Sequence, residues 1–165
     1  MAEIVPSAIE RLSADLRKRL SIVQQARAED ADAVRSAYAR LGVDAEIAPF
    51  FPTCQRAWRR HSWLFPVPAP RPSPELSAIG RPSVLVPLPH ALDQDQFVNA
   101  GVLEESGGAI RIEQRDFTPE RLATEITALL SDPARLARMA EAAKERAPPT
   151  AADRLADLVL KVARN

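Results

Sequence analysis

The chain has 165 residues and a mass of 18.1 kDa, room for about one domain, with 22 basic and 22 acidic side chains and a pI near 6.8. That balance excludes the basic excess of a typical nucleic-acid-binding module, and 46% apolar residues exclude wholesale disorder. A single cysteine excludes a disulfide framework and a cysteine-based zinc site, and His61 and His90 are too few and too far apart to suggest a structural zinc site. No apolar run approaches the roughly 18 residues of a spanning helix. Met1–Leu12 lacks the basic-then-apolar order of a signal peptide, so a soluble cytoplasmic protein, or part of one, is expected. Proline is unusually frequent, at 15 residues, and aromatics are scarce, at 5%.

Residues 4–20 are expected to form a helix, because Ile4, Ile9, Leu12, Leu16 and Leu20 recur at helical spacing. The short run 21–25 reads as a strand. A second helix spans 28–41, with Val34, Tyr38 and Leu41 on one stripe and Gly42 as its C-cap. Residues 43–49 read as a second strand ending at Pro49. The continuous apolar run 83–87, bounded by prolines, has the pattern of a buried parallel strand. A helix over 94–105 follows, ending near Gly107 and Gly108, and a short strand covers 109–112. Thr118, Pro119 and Glu120 form a helix start signal: an N-cap, a proline at the first helical position and an acid in the first turn. That helix runs to Leu130. Ser131 or Asp132 with Pro133 repeats the signal for a helix to about Arg146. Pro148 and Pro149 break it, and a last helix over 151–163 lies within a C-terminal segment 150–165.

Strand and helix alternate, so the expected class is α/β with a mainly parallel sheet. Four strands are visible. No opening strand with a glycine-rich turn precedes the first helix, as a complete doubly wound domain would have, so residues 1–165 read as a partial domain.

Residues 52–74 break the pattern. They hold six of the 15 prolines, both tryptophans, the cysteine and four arginines, with no acid. Prolines at 66, 68, 70, 72 and 74 forbid a helix and favour polyproline II. Three readings compete. One is a proline-rich surface loop, although a structureless loop of this length is itself unusual in a compact domain. Another is a polyproline ligand for an aromatic groove. The third is a displaced reading frame. One permitted set of codons for this segment, read one base out of phase, gives DLPARMAAAQLVVSRSGASTVA and then runs into Glu75. That string holds a helix, a strand and a small-residue turn, and restores the alternation the encoded segment breaks. The single codon of Trp58 limits the freedom of that construction.

RPSVLVPLPHALDQDQFVNAGVLEESGGAIRI at 81–112 closely resembles the MurG family of UDP-N-acetylglucosamine transferases. These add the second sugar to undecaprenyl-pyrophosphoryl-MurNAc-pentapeptide. The resemblance continues through 116–144 and into the last helix. Upstream, 3–12 and 22–51 are similar to the first half of the same family's C-terminal domain. LVPLPHALDQDQ carries the specific part of the likeness. The resemblance implies a GT-B fold, two Rossmann-like domains around a cleft, of which this chain would be an incomplete C-terminal domain. It implies a UDP-GlcNAc donor on that domain and the lipid-linked acceptor, lipid I, on an N-terminal domain. It further implies peptidoglycan synthesis and peripheral contact with the inner face of the bacterial cell membrane. No cofactor, metal or nucleic acid is implied. The family's GGSxG loop and, in the encoded frame, its SGAST turn are not found, so the isolated chain is expected to transfer no sugar and to be soluble or aggregating.

Candidate site residues follow. By resemblance, Glu75 matches the glutamate that holds the two ribose hydroxyls of UDP, and a carboxylate can accept two hydrogen bonds from a diol. From its position alone it is a first-turn acid favoured by the helix dipole. Gln94, Asp95 and Gln96 follow the strand 83–87, where ligands of open α/β sheets bind. Gln96 and Asp95 match the family's tandem donor-contacting glutamines, with Asp in place of the first. Asp95 accepts but does not donate, so it would repel a phosphate it touched directly. The alternative for this group is helix capping. His90 lies beside the donor site by resemblance and otherwise reads as a hydrogen-bonded loop residue. The family inverts the anomeric centre, and the group that deprotonates the acceptor is expected from the other domain.

Overall fold

The structure is a computed structural model that describes residues 2–51, 64–67, 80–87 and 95–145, and the side chains of all of these except 64–67 and 95–99. It opens with helix α1 (Ile4–Glu10) and a short helix α2 (Ala14–Arg17). The sequence pattern predicts one helix over 4–20, and here the structure corrects it. Ser13 is extended and its Oγ accepts a hydrogen bond from the Leu16 backbone N–H at 3.3 Å, so a polar residue that prefers a cap restarts the helix instead of continuing it.

Strand β1 (Ser21–Gln25), helix α3 (Ala28–Leu41) and strand β2 (Asp44–Ala48) form a parallel β-α-β unit, with Ser21 opposite Asp44 and Gln25 opposite Ala48. Gly42 ends α3 at φ 66°, the left-handed cap for which glycine has no Cβ penalty. Val34 and Tyr38 turn the inner stripe of α3 into the core. The Tyr38 hydroxyl donates to Gln24 Oε1, and burial pushes its pKa above the ordinary phenol value.

A second sheet has the order β3 (Leu64–Val67), β4 (Ser83–Leu85), β5 (Ala109–Arg111), all parallel. β3 lies inside the proline-rich stretch, where the sequence pattern shows no strand in the encoded frame. Its register against β4 shifts between Leu64 and Val67. Pro66 lies within that shift and has no N–H to give a ladder, which accounts for an irregular strand at a sheet edge. The rest of 52–74 lies outside the described residues, as does the helix expected at 151–163.

Helix α4 (Asp95–Glu105) links β4 to β5, and Gly107 closes it at φ 81°. Helix α5 (Pro119–Ser131) starts where the Thr118–Pro119–Glu120 signal puts it, with Thr118 Oγ1 accepting from the Arg121 N–H at 3.2 Å. Helix α6 (Pro133–Glu145) follows, and Asp132 Oδ1 accepts from the Arg135 N–H at 2.8 Å. One apolar core joins both sheets: Val34 and Ile47 from the first unit share a cluster with Val84, Val86, Leu122 and Ile126. Each α5 residue in that set is fully buried, which stabilises by about 1.5–3 kcal/mol per side chain. α1 packs against both α3 and α5, and the Arg11 guanidinium donates to Glu120 at the latter contact.

Candidate functional site at the carboxyl ends of the strands

In a parallel sheet each crossover helix runs back against its strand, so the helix begins near the strand's carboxyl end. The sequence order sets the candidates there. The apolar run 83–86 is buried throughout, and its Leu85 carbonyl accepts from the Ile112 N–H at 2.9 Å. The chain then crosses residues 87–94 and enters α4 at Asp95. Asp95 and Gln96 are therefore the first two residues of the helix that starts beyond the carboxyl end of β4. Their side chains are outside the description. Glu75, His90 and Gln94 also lie outside the described residues. The structure thus places the backbone of two of the five candidates at the expected edge, and does not address the other three.

The carboxyl ends of β1 and β2 carry residues that the sequence pattern does not single out. Gln25, at the end of β1, donates from Nε2 to the Pro49 carbonyl at 2.9 Å, tying the ends of β1 and β2 together. Ala26 N–H continues the ladder to Ala48 at 3.1 Å. Phe50, just past β2, is 68% exposed and is the most exposed large apolar side chain among the described residues. The available signal was its place, directly after the proline that ends strand 43–49. Arg27 precedes α3 at this edge and faces Glu29 at 3.8 Å in open solvent, a pair of small energetic weight.

A cavity of about 350 Å³ lies elsewhere. It is bounded by Ser106, Gly107, Ala109, Ile110, Arg135 and Arg138, at the amino end of β5. Ligands of open α/β sheets sit at the other end of the strands, so this cavity is separate from the candidate site. Arg138 there is 3.7 Å from Asp132. Among the described residues no three His, Cys, Asp or Glu side chains gather as metal ligands, and no helix is long and apolar enough to cross a membrane.

Fold and edge together define a Rossmann-like α/β domain of the GT-B glycosyltransferase type. Residues 74–155 match the model of the glycosyltransferase family 28 C-terminal domain. Over 164 residues it is 55% identical to the UDP-N-acetylglucosamine–N-acetylmuramyl-(pentapeptide) pyrophosphoryl-undecaprenol N-acetylglucosamine transferase of Nitrobacter hamburgensis, which covers 99% of this chain and 44% of the relative. The protein of the same name from Bradyrhizobium diazoefficiens is 53% identical over 163 residues, again 99% of this chain and 44% of the relative. Among solved structures, MurG of Acinetobacter baumannii superposes with a TM-score of 0.79 at 27% identity, covering 97% of this chain and 45% of that one. The glycosyltransferase VinC, solved with dTDP, shares the fold at a TM-score of 0.67 and 20% identity, with 98% of this chain and 37% of that one covered. The chain spans under half the length of the curated relatives it matches. The resemblance read from 81–112 is borne out.

Proposed function

We propose that this chain is the donor-holding part of an inverting transferase that moves N-acetylglucosamine from UDP-GlcNAc to undecaprenyl-pyrophosphoryl-MurNAc-pentapeptide, converting lipid I to lipid II at the inner face of the bacterial membrane. The observation that carries this reading is the 55% identity with a transferase of that name along 99% of the chain. The placement of Asp95 and Gln96 beyond the carboxyl end of β4 agrees with it.

In this reading Glu75 accepts hydrogen bonds from the two ribose hydroxyls, while Gln96 donates to the diphosphate side of the donor. Asp95 cannot donate and accepts from a sugar hydroxyl instead. Gln94 and His90 border the same pocket. The acceptor hydroxyl attacks the anomeric carbon, the bond to UDP breaks on the opposite face, and a base takes the hydroxyl proton. That base and the lipid-binding surface come from outside residues 1–165. Transfer needs both reactants held in one closed cleft, so this chain alone binds donor without turning it over.

Calorimetric titration of UDP-GlcNAc into the chain tests the reading. Saturable binding that Glu75→Ala weakens at least tenfold, with no sugar transferred to a soluble lipid I analogue, is the expected result. Turnover by the isolated chain would refute the division of labour. Binding indifferent to both Glu75→Ala and Gln96→Ala would refute the site.

A further inference from the structure

The cavity of about 350 Å³ at the amino end of β5 combines an apolar lining with two arginines. We propose that it binds a small phosphate monoester with a compact apolar body, the phosphate held by Arg135 and Arg138.

Four observations converge. First, α6 builds a wall of two parts. Arg135, Arg138, Met139 and Ala142 stand at i, i+3, i+4 and i+7, so they share one helical face, with the guanidiniums toward its amino end and the apolar side chains beyond them. Met139 is buried, and Ile110 of β5 adds to the apolar part. Second, positive charge is in excess. No described residue bounding the cavity is acidic. Arg135 is half-buried, yet its guanidinium has no ion pair or hydrogen bond among the described residues. Arg138 meets Asp132 at 3.7 Å, but that carboxylate already accepts the Arg135 backbone N–H at 2.8 Å as the cap of α6. Glu104, on α4, is paired with Arg111 at 2.8 Å. Third, the carboxyl end of α4, which would otherwise attract the arginines, is satisfied from within. The Gly107 N–H donates to the Glu104 carbonyl at 2.8 Å, and the Gly108 N–H and Ser106 Oγ both donate to the Leu103 carbonyl at 2.9 Å. The guanidiniums are therefore available to an anion from outside. Fourth, the volume falls in the range of small-molecule sites, which join an apolar lining to a few placed polar groups.

The chemistry of the ligand follows. Two guanidiniums one turn apart present several N–H groups to one anion, and a phosphate monoester has three terminal oxygens to receive them, where a carboxylate has two. Salt screens a free anion held only by side chains in solvent, so contact of an apolar body with Ile110 and Met139 supplies the rest of the affinity. The ligand is therefore an ester and not the bare ion. The cavity lies at the end of the strands away from Asp95 and Gln96, so this inference stands apart from the donor reading.

The test titrates phenyl phosphate into the isotope-labelled chain 1–165 and follows the methyl resonances of Ile110 and Met139, with inorganic phosphate and phenol as the two half-ligands. The expected result is saturable shifts at both methyls with phenyl phosphate, binding at least tenfold weaker for either half-ligand, and no displacement by UDP-GlcNAc. Arg135→Gln and Arg138→Gln should each weaken binding at least fivefold, while Arg115→Gln, an exposed arginine outside the cavity, leaves it unchanged. Ala142→Leu, which fills the cavity and keeps both charges, should abolish binding. Should that variant fail to fold, the two arginine variants still decide the question. Absence of saturable shifts overturns the proposal. Inorganic phosphate binding as tightly as the ester would show an adventitious ion only, and also overturns it. So does binding indifferent to both arginine variants, or displacement by UDP-GlcNAc, which would put the probe at the donor edge.

Discussion

β1 and β4 are both short parallel strands that lead into a helix, yet they sit in different surroundings. Ser83, Val84 and Leu85 of β4 are all buried, while β1 has exposed ends and a half-buried middle. The residues do not explain the difference: Ile22 and Val23 are as apolar as Val84 and Leu85. Neighbours do. Among the described residues β4 lies between β3 and β5, and β1 pairs with β2 alone. Burial of a strand is thus a property of the sheet around it, and β4 is the more buried of the two strands.

That contrast can be broken by substitution. The largest effect is expected at Gly108, where an added Cβ would lie 2.7 Å from Ala143 Cα and 2.8 Å from Ala143 N. Backbone cannot yield as a flexible side chain can, so Gly108→Ala should lower the unfolding free energy by about 3 kcal/mol. Its counterpart near β1, Gly42→Ala, meets no atom within 4 Å and costs only the left-handed backbone, about 1 kcal/mol. Urea denaturation of the two variants side by side measures the difference; equal losses would erase the contrast.

The strands themselves give the next test. Val84 is 0% exposed, and Val84→Ala should cost about 2 kcal/mol through lost burial and a cavity. Val23→Ala removes the same two methyl groups from a half-buried site and should cost under about 1 kcal/mol. If the two midpoints fall together, β1 is as well packed as β4 and the asymmetry is wrong.

Thr118→Ala, which removes the cap of α5, should cost about 1 kcal/mol in the same assay, with Thr118→Ser retaining most of it. The smallest effect is electrostatic. Glu120 is held below the ordinary carboxylate range, first by its own backbone N–H and then by the Arg11 guanidinium. A depressed carboxylate contributes stability above the unfolded pKa, and that contribution is lost as pH falls through the folded value. Both groups are exposed, so acid unfolding of Glu120→Gln and Arg11→Ala should differ only slightly from that of the unaltered chain in this window, with slightly less loss on acidification. A large shift in the acid midpoint would show a coupling across α1 and α5 that the exposed geometry does not provide.

Much of the framework was legible because local signals agreed with tertiary context. Gly42 and the Thr118–Pro119 pair mark real helix ends, and the apolar run at 83–87 marks the buried strand, trimmed to 83–85 by the ladder. The first helix was misread because apolar spacing continues through Ser13, while the backbone there obeys the cap. β3 was invisible because proline density outweighs the apolar Leu64, Phe65 and Val67, and only pairing with β4 makes that stretch a strand. At the site, the position of Asp95 and Gln96 followed from strand–helix order. The exposed Phe50 did not, since exposure is decided by what folds over a residue and not by its neighbours in sequence.

The strand at Leu64–Val67 also bears on residues 52–74 as a displaced frame, since the out-of-phase string carries its strand, VVS, at nearly the same place. The most direct measurement is donor titration into two proteins: the chain as encoded, and the same chain with 52–74 replaced by DLPARMAAAQLVVSRSGASTVA. A donor domain whose small-residue turn is lost in the encoded frame predicts UDP-GlcNAc binding at least tenfold tighter in the second protein, with the gain lost in Glu75→Ala. Equal affinities, or no saturable binding by either protein, would contradict it.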